Sequence, residues 1–286
     1  MKRHFVAASA FVFVVAAASA QQTPAGQQTW SGVISDSKCG GSHETMAGAE
    51  KMTDRECAFH CLNTLAKYVL VDDQKKIIPI ANQDFAGLPL RLARPVRVTG
   101  VLTDKGIVVS RIEPPLVHAH IGHVMIGWRD TPGSVGLLTV ALSDARVGDA
   151  HALLAAKATS NLDDMKLHAG HVLHALDPGL EPKGPASGYG VKKAAAGALQ
   201  HVGFAAGVEG ASATVKGQAA AASAKLTDTL TQVDLAIGTA HKIRAATTAP
   251  EAAALVQELS RLTTQIGSQL NQAEVEMRTM MKAEGL

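Results

Sequence analysis

The chain of 286 residues carries 27 Lys and Arg against 25 Asp and Glu, 3% aromatic residues and three cysteines. So small a net charge and so few rings exclude an electrostatic or base-stacking nucleic-acid surface as the organising feature. Gly-x-Ser-x-Gly, P-loop, His-Glu-x-x-His and EF-hand patterns are all missing, so no motif supports an enzyme.

The N-terminus has the form of a secretory leader. A basic start (Lys2, Arg3) precedes an uncharged apolar run over residues 5–18, and Ala18-Ser19-Ala20 fits a small-x-small cleavage pattern. The run is shorter than the roughly 20 residues of a membrane span, and no later stretch is apolar enough, so no transmembrane segment is expected. Cleavage near Ala20 predicts a periplasmic or secreted protein. It removes Lys2 and Arg3, leaving acidic and basic residues balanced at 25 each.

Residues 21–29 read as a polar, disordered leader to the first domain. Short runs rich in Val, Ile and Tyr then predict strands over 30–35, 67–71, 76–81, 95–102 and 106–113, with Asp104-Lys105-Gly106 as a hairpin turn. One helix is predicted from Thr53 to about Ala66, because Thr53 and Glu56 have capping-box spacing. Five strands and one helix over residues 30–113 predict a small, partly open OB-like β-barrel, with an α+β sandwich as the alternative.

All three cysteines fall in this domain. Cys57 and Cys61 share a helical face, a geometry poor for a disulfide between them. Two readings are open. Cys39 pairs with Cys57 or Cys61 as a disulfide, in keeping with export. Otherwise Cys39, Cys57 and Cys61 with His43 (or His60) supply a three-sulfur, one-nitrogen zinc site, in keeping with the odd count. Residues 30–40 (Trp-Ser-Gly-Val-Ile-Ser-Asp-Ser-Lys-Cys-Gly), the Cys57-x3-Cys61 pair, Lys67-Tyr-Val-Leu-Val71, Ala81-Asn-Gln83 and Val96-x-Val-Thr-Gly100 together resemble an uncharacterised exported bacterial domain of OB-like type. The resemblance implies a secreted β-rich domain and no particular activity.

Pro114-Pro115 ends the strands, and from there the apolar period changes from two to about 3.6. Val117, Ile121, Val124 and Trp128 form one stripe. Helices are predicted from Asp144 to about Ser160, with Val147, His151, Leu154 and Ala158 in line, and after an Asn161 cap, with Leu162, Met165, Ala169, Val172 and Leu176 inward. Residues 177–190, with three Pro and four Gly, read as a long loop. An Ala- and Gly-rich helix over 191–207 follows. Two long helices then carry Leu226, Leu230, Val233, Ile237 and, after Pro250, Leu255, Leu259, Leu262, Ile266 and Leu270 at spacings of three and four. Residues 116–286 are therefore expected to form an all-α bundle of five or six helices, ending in a long helical hairpin.

Of twelve histidines, nine lie between 118 and 241. Clustering at helical spacings makes His120, His123, His151, His168, His171 and His174 the candidate ligands. Neutral imidazole suits a transition metal such as copper or zinc. His201 and His241 read as isolated surface residues. A non-covalent haem b held by two facing histidines is an alternative, while the lack of Cys-x-x-Cys-His excludes c-type haem. No Glu-x-x-His pair is present, against a ferritin-like di-iron site. Residues 168–178 and 188–197 locally resemble exported His-rich helical proteins of unknown role. The expectation is an exported metal-binding protein, with haem-based electron transfer or a cofactor-free interaction module as alternatives. Nothing in the sequence specifies a protein partner.

Overall fold

The computed structural model describes residues 26–42, 52–158, 160–209 and 211–286. The expected leader, its cleavage site and His43 lie outside these residues. The chain divides into two compact units, Met1–Glu113 and Pro114–Leu286.

The first unit holds β1 (Gln28–Asp36), α1 (Asp54–Asn63), β2 (Tyr68–Asp72), β3 (Ile77–Pro79), α2 (Gly87–Arg91), β4 (Pro95–Thr103) and β5 (Gly106–Glu113). The strands form one antiparallel sheet in the order β3-β2-β1-β4-β5. Alternation puts Ile34, Leu70, Val96, Val98 and Ile107 into a core with Ala58 of α1 and Leu88 of α2. The first strand starts earlier than expected. Gln28 and Thr29 pair with Gly100 and Thr99, so the end of the polar leader is strand. The sheet is not a closed barrel: its edges meet at the single bridge Ile80–Ile107. The short helix α2 has too few residues to show a period and was not anticipated.

Helix α1 begins as the capping box requires. The Glu56 amide donates to Thr53 Oγ1 at 3.3 Å, and Glu56 Oε2 accepts from the Thr53 amide at 2.8 Å. It stops three residues short of Ala66. The Thr64 hydroxyl donates to the Cys61 carbonyl at 2.9 Å, and Leu65 turns into the left-handed region at φ 71°.

The second unit holds α3 (Leu116–Met125), α4 (Leu137–Lys157), α5 (Leu162–Leu176), α6 (Val191–Gly207), α7 (Ala213–Ala245) and α8 (Ala249–Ala283), with a 3-10 turn over Pro132–Ser134. Helix α3 packs on α6, α4 on α5 and α8, and α7 on α8. The hairpin of α7 and α8 buries Leu226, Val233 and Ala240 with Leu259, Leu262, Ile266 and Leu270, while Leu230, Ile237 and Leu255 are partly buried at its margin. Thr248 accepts from the Glu251 amide and Pro250 occupies the first turn, so the hairpin is stopped and restarted within a few residues. No described helix is long and apolar enough to cross a membrane.

Helix α4 corrects two expectations. It starts at Leu137, and Asp144 is fully buried inside it rather than at its start. The Asp144 carboxylate accepts from the Ser187 amide (2.9 Å), the Ser187 hydroxyl (2.7 Å) and the Gly190 amide (3.0 Å). It thereby anchors the 177–190 loop and supplies an acceptor at the start of α6, whose N-cap Gly190 has no side chain to do so. The buried line is Ala141, Ala145, Gly148, Ala152 and Ala155, not Val147, His151, Leu154 and Ala158, and Leu154 is exposed. Small side chains allow close helix packing but contribute little to an apolar pattern. The larger residues therefore drew the wrong line.

Candidate metal centres

Two groups of three histidines form where helices of the second unit pack, each with its ligand atoms within 4.8 Å of one another. In the first, α3 presents His120 and His123, three apart and so on one face. Helix α6 brings His201 against them: its Nδ1 lies 3.2 Å from His120 Nδ1 and 3.4 Å from His123 Nδ1. In the second, α5 presents His168 and His171, and α4 supplies His151. Here His151 Nδ1 lies 3.0 Å from His168 Nδ1 and 3.3 Å from His171 Nδ1.

The common plan is a pair from one helix and a hub from its neighbour. A ring nitrogen has one in-plane lone pair or one N–H, so a hub nitrogen satisfies only one of its two contacts by hydrogen bonding. A cation accepts all three lone pairs at once. Nitrogens bound at 2.0–2.1 Å in a tetrahedral arrangement stand about 3.3 Å apart, which matches the two hub spacings in each group.

The surroundings of the two centres differ. Trp128 packs on the first, with ring centroids 4.7 Å from His123 and 4.9 Å from His201; Phe204 lies 5.3 Å from His120. The second has Glu181 as a nearby charge, and Glu181 is itself paired to Arg244 at 2.5 Å. Burial pushes His120, His123, His151, His171 and His201 below the ordinary imidazole range, reinforced at all but His123 by neighbouring imidazoles. These rings resist protonation and keep lone pairs available as acidity rises.

A pH dependence follows for the metal-free chain. The unfolded histidines, with pKa near 6.5, bind more protons than the folded ones, so stability falls as pH drops through about 6.5 toward the lower folded values. The melting temperature in chelator is expected to fall between about pH 7 and pH 5. An unchanged or rising value over that interval contradicts the assignment.

His174 does not join its neighbours. It is buried, its Nδ1 lies 2.8 Å from the Glu181 carbonyl oxygen, and it buttresses the 177–190 loop. Each step of three residues rotates a side chain by about 60°, so two steps from His168 turn His174 about 120° away. His201, by contrast, reads from the sequence as isolated and is a hub. It is 9% exposed and continues the buried line Ala194, Ala198, Ala205 of α6. That line was a usable signal. A second was the repeated pattern His-x-Gly-His at 120–123 and 168–171, each pair needing one more ligand. His118 lies 3.2 Å from Glu284, which also accepts from Ser212, and His241 is exposed; neither belongs to a centre.

Comparison with protein-family models, curated proteins and solved structures found no match. The centres therefore rest on their own geometry.

A third group lies in the first unit. Cys39 Sγ is 3.4 Å from Cys61 Sγ and 3.9 Å from Cys57 Sγ, and all three sulfurs are within 4.8 Å of one another. Burial pushes the Cys39 thiol up to about 12, with hydrogen bonding to Cys61 and the charge of Asp36 adding to it; burial also raises Cys61. His60 is exposed and outside the group, and the other sequence candidate, His43, falls among the residues not described.

Proposed function

We propose that this chain is an exported protein that holds transition-metal ions at two tri-histidine centres of its helical unit. The reading rests on one observation: three Nδ1 atoms converge twice, at spacings that suit a common cation and leave a neutral hydrogen-bond network incomplete. Three imidazoles leave a coordination position for water or a fourth ligand. The all-nitrogen set suits copper(II) and zinc, and with no carboxylate among the three ligands it is a poor match for magnesium or calcium. Three rings converging on one point serve a single ion better than a haem, which needs its two axial nitrogens on opposite faces of a macrocycle. The leader-like residues 1–20 support export, and intact mass of the native protein beginning near Gln21 is the check. The strand order β3-β2-β1-β4-β5 with an Ile80–Ile107 contact between its edges supports an OB-like reading of the first unit, with no role assigned to it.

Trp128 provides the test. The chain has two tryptophans, and Trp128 packs on the first centre. Copper(II) added to two equivalents is expected to quench the Trp128 emission, with zinc competing. His120→Ala should abolish that quenching and leave one ion bound at His151, His168 and His171. Emission that copper leaves unchanged, or quenches equally in His120→Ala, would sink the assignment of the first centre.

A further inference from the structure

We propose that Cys39, Cys57 and Cys61 form a third site in the first unit, distinct from the histidine centres and built for a soft d10 cation, copper(I) or zinc. Cys57 and Cys61 are one turn apart on α1, which is held at its start by the Thr53–Glu56 capping box and along its side by Arg55, whose Nη1 donates to the Leu92 carbonyl at 3.0 Å. Cys39 sits in the turn after β1. Asp36 Oδ1 accepts from the Lys38 and Cys39 amides at 2.9 Å each, and the Ser35 hydroxyl donates to the Gly40 carbonyl at 2.6 Å. Lys38 Nζ then reaches across to the Thr64 carbonyl at 2.8 Å and the Thr64 hydroxyl at 3.0 Å, at the C-terminal end of α1. The turn is thus tied to the helix independently of the sulfurs, and the three thiols are positioned in advance.

The sulfur geometry points to coordination by all three. Thiolates bound at 2.3 Å in a tetrahedral arrangement stand about 3.8 Å apart, and the separations of Cys39 from Cys61 and Cys57, 3.4 and 3.9 Å, bracket that value. A disulfide would use one pair and leave the third thiol in the same buried space. Cys57 and Cys61 are 1% and 0% exposed, while Cys39 is partly exposed, so an ion would enter on the Cys39 side. Polarisable thiolates select copper(I) and zinc over hard cations. Binding replaces each S–H bond by an S–metal bond and releases the proton to solvent. Neither sulfur nor metal changes oxidation state.

The test uses the full chain, reduced with a phosphine and kept anaerobic. Cobalt(II), as a spectroscopic substitute for zinc, is expected to produce one equivalent of a near-ultraviolet sulfur-to-metal charge-transfer band that zinc removes. Copper(I) supplied as its bicinchoninate complex should transfer one equivalent to sulfur and protect all three cysteines from alkylation; competition between the two ions shows which the site prefers. Cys39→Ser should lose the band. The band in the wild-type chain needs no variant, so a misfolded variant does not decide the matter. Because histidine nitrogen gives no sulfur band, this result is independent of the histidine centres. Two outcomes overturn the proposal: no sulfur band or transfer with either ion when three thiols are reduced, or native, unreduced protein that on denaturation alkylates at one cysteine only, which establishes the disulfide instead.

Discussion

Replacing His201 by alanine is expected to lower zinc or copper(II) affinity at the α3–α6 centre by more than a hundredfold and to leave the α4–α5 centre unchanged. His201 is the hub whose Nδ1 touches both His120 and His123. Losing one of three ligands should exceed the ten- to hundredfold loss typical of merely supporting residues. The substitution adds alanine to a helix face already lined by Ala194, Ala198 and Ala205, so the unit should remain folded. Competition against a calibrated chelator measures the affinity, with the exposed His241→Ala as the neutral comparison. An unchanged first-centre affinity in His201→Ala would show that the three rings are packed histidines and nothing more.

The second large effect is on stability. Asp144→Ala is expected to destabilise the helical unit by about 3 kcal/mol, because it removes the acceptor of three hydrogen bonds from inside α4, some of them charge-assisted. The Gly190 amide at the start of α6 is left without its partner, and the 177–190 loop loses its anchor. That loop also carries Glu181, whose carbonyl oxygen faces His174 and whose carboxylate pairs with Arg244 beside the second centre. Urea unfolding should show a lower midpoint at unchanged slope. A loss under about 1 kcal/mol would mean that water replaces the carboxylate and that Asp144 is not the anchor.

The sequence made some of this visible and hid the rest for identifiable reasons. The capping box at Thr53, the β4–β5 hairpin and the spacing of Leu259, Leu262, Ile266 and Leu270 are local patterns, and local patterns are where residue order carries structure most directly. The pairs His120–His123 and His168–His171 are legible for the same reason, and His151 stands among the candidates with them. The hub His201 is not legible, and neither is the pairing of each hub with its pair, because both depend on which helices pack together. Alanine obscured that packing: the line from Ala141 to Ala155 gives a weak apolar signal yet forms a buried face. His174 keeps the spacing of three but not the face, because the rotation accumulates along the helix. Asp144 reads as a helix start because a carboxylate is common there, whereas its partners lie more than forty residues away in the chain. The five strands are legible in the same way, but how far the partly open sheet closes is not, since no local feature states whether two sheet edges meet along a ladder or at one bridge.

The most direct measurement is a crystal structure of the full chain soaked in zinc or copper(II), with anomalous difference maps recorded above and below the metal edge. Two peaks are expected in the helical unit. One should lie about 2.0–2.1 Å from the Nδ1 atoms of His120, His123 and His201, and the other at that distance from His151, His168 and His171. Histidine triads that stay without an anomalous peak, with the ions scattered over surface carboxylates instead, would contradict the central claim.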